Sequence, residues 1–233
     1  MKRLNSCILS ASLLLLIVSC KKEETSDFIT VSIQHSNMSG VTSQNRYYTL
    51  DSMLVYLSNF IFEDSAGNFY PVKEVYLYKS GENNTFQINR PKAALKKFYF
   101  SFGLNPAQNN ANPVSFPIEH PMSREQGMYW DMLKYRFLVA EGSIDSTTSG
   151  AASIQNVFSM HLGSDTLYRV LSTNSIPQAG GTYRISLNAS DLFVLDEANF
   201  RLSNFSNHST DESMPNAISI TDAFTDGITI AAE

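Results

Sequence analysis

The side chains in this 233-residue chain best suited to holding a metal are four histidines, His35, His120, His161 and His208, with one tryptophan, Trp130, and a set of methionines. Imidazole is the commonest protein ligand of transition metals, and thioether sulfur suits soft Cu(I). The histidines are scattered along the chain, so spacing alone builds no cage. The densest run of chemically useful residues is GMYWDMLKYRFLVAEG, Gly127 to Gly142, with MHLG at Met160 to Gly163 as its nearest companion. His161 ends an alternating strand pattern that begins at Val157. His120 precedes a proline in Ile118-Glu119-His120-Pro121-Met122 and is held extended by it. His35 and His208 carry no context of their own. On a strand, Trp130 and Met132 share a face, which would put a thioether beside the indole ring. A plainer reading stands beside each of these: a lone tryptophan in a β protein anchors cores, and Met128, Met132 and Met160 fill them.

Other chemistries find less support. The chain holds no P-loop, dinucleotide fingerprint, CxxC pair, HExxH helix or GxSxG elbow. Asp131, Glu119 and Glu141 flank the central run and could serve as acid and base, but no spacing requires it. An enzyme is the least favoured class.

The elements that must position these residues read as strands. Phe28 to His35 alternates, with Ile29, Val31, Ile33 and His35 on one face. Ser36 to Asn45 reads as a loop, and Arg46 to Leu50 resumes the strand pattern. Ser52 to Asp64 is apolar on both faces, as a doubly covered central strand should be, and a turn at Asp64 to Asn68 returns it as Phe69 to Lys79. Thr85 to Asn89 is a short strand, and the alternating aromatics of Lys97 to Leu104 should line a core. Asn105 to Pro113 reads as a polar loop with little reason to be rigid. Tyr135 to Glu141, Ile154 to Leu162, Thr166 to Ser172 and Gly181 to Leu187 follow as strands, with Ser143 to Ser153 as a hairpin loop. In the tail, Asp191 to Asp196 reads as a helical turn, Phe200 to Phe205 as a strand and Ala217 to Ile228 as a short helix or strand. Eight to ten short strands with little helix predict an all-β fold, an antiparallel Greek-key sandwich with long loops.

The first nineteen residues stand apart. Lys2 and Arg3 precede an apolar run from Ile8 to Val18 that is too short to span a bilayer, which is the pattern of a cleaved secretory signal. It ends in Ile17-Val18-Ser19-Cys20, similar to the lipobox of bacterial lipoproteins, in which the cysteine receives the lipid. The expected organisation is therefore a lipoprotein signal peptide at 1–19, a lipidated Cys20 with a polar tether to residue 26, and a single β domain over 27–233. Loss of Cys7 with the signal leaves Cys20 as the sole cysteine, so packing rather than a disulfide must hold the fold. The tether Lys21-Lys22-Glu23-Glu24-Thr25-Ser26 is similar to signals that send lipoproteins of some Gram-negative bacteria to the outer face of the outer membrane. The expected address is the outer membrane, on its periplasmic face or at the cell surface. Cleavage removes two positive charges and takes the formal net charge from −5 to −7, which argues against a nucleic-acid partner.

Five segments together, YLSNF (Tyr56 to Phe60), FGLNPAQN (Phe102 to Asn109), HPMS (His120 to Ser123), the central run and FSMHLGSDTLY (Phe158 to Tyr168), resemble the MbnP-like family of bacterial envelope proteins related to copper-binding proteins of methane oxidisers. The resemblance covers about Phe28 to Ile228, and the MYW, YRF, EG and HLG blocks are its specific part. It implies an all-β domain, a copper site made of histidines and a tryptophan, and in some members oxidation of that tryptophan to kynurenine by a di-haem partner of the cytochrome c peroxidase type. It carries over Trp130 from MYW and His161 from HLG, whereas no motif aligns His120 or His208. Two departures stand out: Trp130-Asp131-Met132 replaces the W-x-W of many relatives, and Lys134 replaces a glycine before the tyrosine. The reading that follows is a non-catalytic, lipid-anchored protein that binds copper for acquisition or storage. His161 is the imidazole ligand, His120 or His208 the second, Trp130 the ring beside the metal and Met132 an optional soft ligand. The alternative is a metal-free surface module whose loops at Asn105 to Pro113 and Ser143 to Ser153 contact a protein or glycan.

Overall fold

The computed structural model describes residues 27–151, 155–193 and 206–233. The signal peptide, Cys20 with its tether and the strand expected at Phe200 to Phe205 lie outside the described residues.

One long strand organises the molecule. β1 (Phe28–Ser36) and the short β2 (Ser39–Val41) lead into β3 (Tyr47–Asp64), which joins the two strand stretches anticipated on either side of Asp51 into one of 18 residues. β2 falls inside the segment expected to be loop. β4 (Phe69–Lys79), β5 (Thr85–Asn89) and β6 (Leu95–Phe102) follow, then a short helix α1 (Pro106–Asn109). β7 (Tyr129–Trp130) and β8 (Lys134–Tyr135) form a small hairpin before β9 (Leu138–Asp145) and β10 (Gln155–Leu162). β11 (Arg169–Thr173), β12 (Thr182–Asn188), helix α2 (Met214–Asp226) and β13 (Thr229–Ala232) complete the chain.

Along one edge β3 pairs β9 and then β6, and along the other β2 and then β4; β10 and β11 extend this sheet to either side. The second sheet has the order β13-β12-β1-β5. Among the described strands β1 and β12 run parallel, a departure from a purely antiparallel sandwich, while the remaining strand pairs are antiparallel. The alternation in β1 buries Ile29, Val31 and Ile33, and that in β12 buries Tyr183, Ile185 and Leu187. They face the aromatics of the large sheet, with the Phe98 and Tyr183 rings stacked at 4.3 Å and Phe60 stacked on Phe100 at 5.8 Å. Phe98, Phe100, Phe102 and Leu104 are fully buried, as their spacing required. Burial of this kind is worth about 25 cal/mol per Å² of apolar surface, and no cysteine lies among the described residues to add a disulfide.

Three local differences from the sequence reading have physical causes. Asn105 to Pro113 is ordered. Asn105 caps α1 in a reciprocal capping box with Gln108, Pro106 starts the helix, and Asn109 donates to the Asp165 carboxylate at 2.8 Å. At Thr166 the expected strand begins as a 3-10 turn, Asp165–Leu167, capped by the Ser164 hydroxyl, and pairing starts only at Arg169. In the tail, the expected helical turn appears as a 3-10 turn over Ala189–Phe193, and Ala217 to Ile228 is mostly helix. Among the described residues no helix is long and apolar enough to cross a membrane.

Candidate metal centre

Trp130 is placed by the β7–β8 hairpin. Asp131, Met132 and Leu133 form its tip, the Leu133 N–H donates to the Trp130 carbonyl, and Lys134 closes the turn with φ at +61°. This is the left-handed conformation that glycine adopts freely, which gives a backbone reason for glycine at this point in related sequences. The hairpin is tied to its surroundings by Asn109, whose amide oxygen accepts from the Tyr135 N–H at 3.2 Å, and by Tyr135, whose hydroxyl donates to the Met122 carbonyl.

His161 comes from the end of β10, and the strand after it passes closely over β8. The Phe137 N–H donates to the Leu162 carbonyl, and a Cβ on Gly163 would stand 2.3 Å from the Tyr135 carbonyl oxygen. Gly163 of the HLG block is thus what allows the His161 strand and the Trp130 hairpin to approach. His208 arrives on a segment zipped to the free edge of β10. The His161 N–H donates to the Asn207 carbonyl and the Asn207 N–H to the Ser159 carbonyl, while the Ser209 hydroxyl accepts from the Gly163 N–H. Ser209 takes a left-handed φ of +52°, which turns the chain away after His208.

These contacts bring three rings together. The His161 and His208 ring centres are 5.0 Å apart, and the Trp130 ring lies 5.1 Å from His161 and 5.6 Å from His208. His161 is buried, and Trp130 is 38 % exposed, so the cluster reaches the surface along the indole. The Arg136 guanidinium covers Trp130 at 5.0 Å from the ring centre, and its Nη2 donates to the Gly127 carbonyl.

The hydrogen bonds fix the state of His161. Its Nε2 is 2.8 Å from Glu141 Oε1 and its Nδ1 is 3.4 Å from Arg136 Nη1. Arginine only donates, so Nδ1 must accept; Nε2 then carries the proton and donates it to the carboxylate. The imidazole is pushed below its usual pKa first by burial, and further by the Arg136 charge and by His208, against the Glu141 hydrogen bond that raises it. A neutral imidazole oriented by a carboxylate is the form in which histidine binds metals; here the Nδ1 lone pair faces Arg136 Nη1. His208 Nδ1 is buried without a hydrogen-bond partner. Such an orphaned ring nitrogen costs free energy unless something binds it, and the ring that carries it is centred 5.0 Å from the His161 ring. The two imidazoles are nitrogen donors of the kind that transition metals take.

Two other candidates lie elsewhere. His120 stacks on Phe116 at 4.4 Å, and its Nδ1 accepts from the Met122 N–H, which makes it a local turn-former. Met132 is 84 % exposed at the hairpin tip. The chain turns immediately after Trp130, so the two side chains are not neighbours on one strand face. His35 contacts the Tyr78 hydroxyl on the other sheet. Among the described residues no group of three or more His, Cys, Asp or Glu side chains is arranged to hold a metal, so the donor set rests on two imidazoles. Arg136 and Glu141 were not recognised from sequence as parts of a metal site. The pairing of Glu141 with Ser159, two residues before His161, could have pointed to the carboxylate had the strand register been known.

Comparison with known proteins bears on this geometry. A family model described as MbnP matches residues 27–216. Among solved structures, MbnP from Methylosinus trichosporium is similar with a TM-score of 0.55 at 15% identity, over 82% of this chain and 86% of that one. At that identity the likeness concerns the fold. No curated protein matches the chain.

Proposed function

The chain belongs to the MbnP family, and from that membership and the ring cluster we propose that it binds copper as cargo, for acquisition or storage, without catalysing a reaction. The observation that carries this reading is the buried, unpartnered Nδ1 of His208, on a ring centred 5.0 Å from that of the carboxylate-oriented His161. Glu141 orients His161 from behind, and the Trp130 ring shields the pair from bulk water on one side. Few donors, all nitrogen, under an aromatic ring suit Cu(I), which tolerates low coordination, better than metals that demand an oxygen-rich shell. Protein purified from copper-supplemented cells should carry about one copper per chain and lose it on His161→Ala and on His208→Ala. Retention of copper by both variants would place the metal elsewhere or nowhere.

In the same reading the domain is held at the outer membrane by a lipid on Cys20, and labelled fatty acid should be incorporated by the wild type and not by Cys20→Ala. The exposed edge of Trp130 leaves the indole open to a di-haem partner that oxidises it, which the mass of the peptide containing Trp130 reads directly. A second reading, a metal-free interaction surface, draws on the exposure of both Trp130 and Met132 on the β7–β8 hairpin. Copper-free protein whose partner binding is lost on Met132→Ala would favour it.

A further inference from the structure

One end of the sandwich gathers cations in a chain whose formal net charge is −5. The connection from β5 of the small sheet to β6 of the large one, Arg90 to Lys97, reads RPKAALKK and holds no acid. It is laid across that end by its backbone: the Arg90 N–H donates to the Asp27 carbonyl at 2.6 Å, and the Ala94 carbonyl accepts from the Ser65 N–H at 2.8 Å. The carboxylates that neighbour it are engaged. Asp27 pairs with Lys92 at 3.0 Å, Glu63 with Lys96 at 2.6 Å and Glu233 with Arg184 at 2.8 Å, while Asp64 is held inside its own turn by Asn68, Tyr70 and Ala66. Arg90 and Lys97 have no carboxylate within ion-pair distance among the described residues; Arg90 donates to the Pro91 and Pro177 carbonyls, and Lys97 lies over the Tyr99 ring at 5.0 Å. Two aromatic rings stand out from the same end. Phe28, next to Asp27, is 43% exposed, and Phe69, paired with Glu63 across β3 and β4 and 6.2 Å from the Tyr99 ring, is 62% exposed. Cations with exposed apolar rings between them are the composition of a surface that meets anionic lipid.

Asp27 is also where the chain from Cys20 enters the domain. Seven residue steps reach at most about 25 Å, short beside the roughly 60 Å over which the 18 residues of β3 extend. On the reading that Cys20 carries a lipid, we propose that this end of the domain, with Phe28, Phe69 and the Arg90 to Lys97 connection, rests on the anionic headgroups of the membrane and holds the ring cluster away from them. The strand register gives the separation. His161 pairs with Val139 and Val139 with Leu54, nine residues before Glu63 on β3, so the cluster stands about 30 Å along the strand from the lipid-facing end. Val157, through Ser143 and Thr49, stands about 45 Å from it. Each cation near an anionic surface strengthens binding about fivefold, and salt screens the effect.

The experiment uses the mature protein, whose only cysteine, Cys20, is coupled to a maleimide-bearing lipid in vesicles of phosphatidylcholine and phosphatidylglycerol. The anchor is thus supplied whether or not cells attach one. Bromines on the acyl chains near the headgroups quench an indole that enters the interface. Phe69→Trp and Val157→Trp, an 86% exposed position, are each made in a Trp130→Phe background, so that each protein carries one indole, and each is checked for an unchanged melting curve. The expected result is loss of fluorescence from Phe69→Trp on the brominated vesicles, with no loss from Val157→Trp or from wild-type Trp130. Arg90→Gln combined with Lys97→Gln, or vesicles of phosphatidylcholine alone, should remove about half of that loss or more. Equal quenching of Phe69→Trp and Val157→Trp, or none in either, overturns the lipid-facing end and leaves the Cys20 anchor standing. Quenching of Phe69→Trp that is unchanged on neutral lipid overturns the role of the cations. Fatty acid that fails to label Cys20 in cells overturns the anchor, and with it this placement, whatever the vesicles show. Should Phe69→Trp melt earlier, Phe28→Trp makes the same test from the other ring.

Discussion

Replacing Gly163 with alanine should damage the fold and the site together. The added Cβ would stand 2.3 Å from the Tyr135 carbonyl oxygen, 2.8 Å from Arg136 Cα and 3.1 Å from the Tyr135 carbonyl carbon, all backbone atoms with no rotamer to yield. Ordinary contact would require the strand carrying His161 to move off β8 by about 1 Å. Overpacking of this kind costs about 1–3 kcal/mol. The Phe137 N–H to Leu162 carbonyl bond at 2.5 Å is the next contact along the seam, and stretching it adds about 1 kcal/mol. For a domain of this size each kcal/mol lowers Tm by about 2–4 °C, so the expected loss is about 4–16 °C. Gly67→Ala is the control: φ there is +86° with nothing within 4 Å of the added Cβ, so only the conformational penalty of about 1–2 kcal/mol applies. Thermal unfolding followed by circular dichroism compares the two. The reasoning fails if Gly163→Ala melts within 1 °C of wild type, or no lower than Gly67→Ala.

Glu141→Gln should weaken copper binding by about 10- to 100-fold without altering the fold, because it removes the carboxylate that orients His161; chelator competition and an unchanged melting curve would check both halves. Asn109→Ala should lower stability by about 1–3 kcal/mol, since it strands the buried Tyr135 N–H; denaturant unfolding measures it. Asp64 should give stability a signature in acid. Hydrogen bonds from the Asn68 side chain and backbone, the Tyr70 hydroxyl and the Ala66 N–H hold its carboxyl down at about 2. Its contribution is complete above the unfolded carboxylate pKa of about 3.9 and is lost as pH falls through about 2. The Tm gap between wild type and Asp64→Asn should accordingly be constant from pH 7 to 5 and close between pH 4 and 2; a gap that persists at pH 2 would contradict this.

What was legible from sequence follows the rules of short-range pattern. The alternations in β1, β6 and β12, and the turn at Asp64 to Asn68, depend on period-two burial and local turn chemistry, and the structure agrees with them. Trp130 and His161 were reached through their motifs, and the rings do meet. His208 could not be ranked above His120, because what distinguishes them is the bonding of Asn207 and Ser209 to the edge of β10, a long-range event. Met132 was placed beside Trp130 on the premise of a continuous strand. The turn begins one residue earlier, and a one-residue error of this kind sends a side chain to solvent. The rigidity of Asn105 to Pro113 was missed because composition alone marked it as loop, whereas its Asn and Gln side chains cap a helix and reach across to the 3-10 turn. Arg136 and Glu141 acquire meaning only once β8, β9 and β10 are brought together.

The single tryptophan provides the most direct measurement. Trp130 lies within 5.6 Å of both histidine ring centres, so copper bound between them must sit close enough to quench its fluorescence. Titration of the metal-free mature protein should give quenching that saturates at one copper per chain, and His161→Ala with His208→Ala should abolish it. Fluorescence that does not respond to copper, or that responds equally in the double variant, would show that these rings are not a copper site.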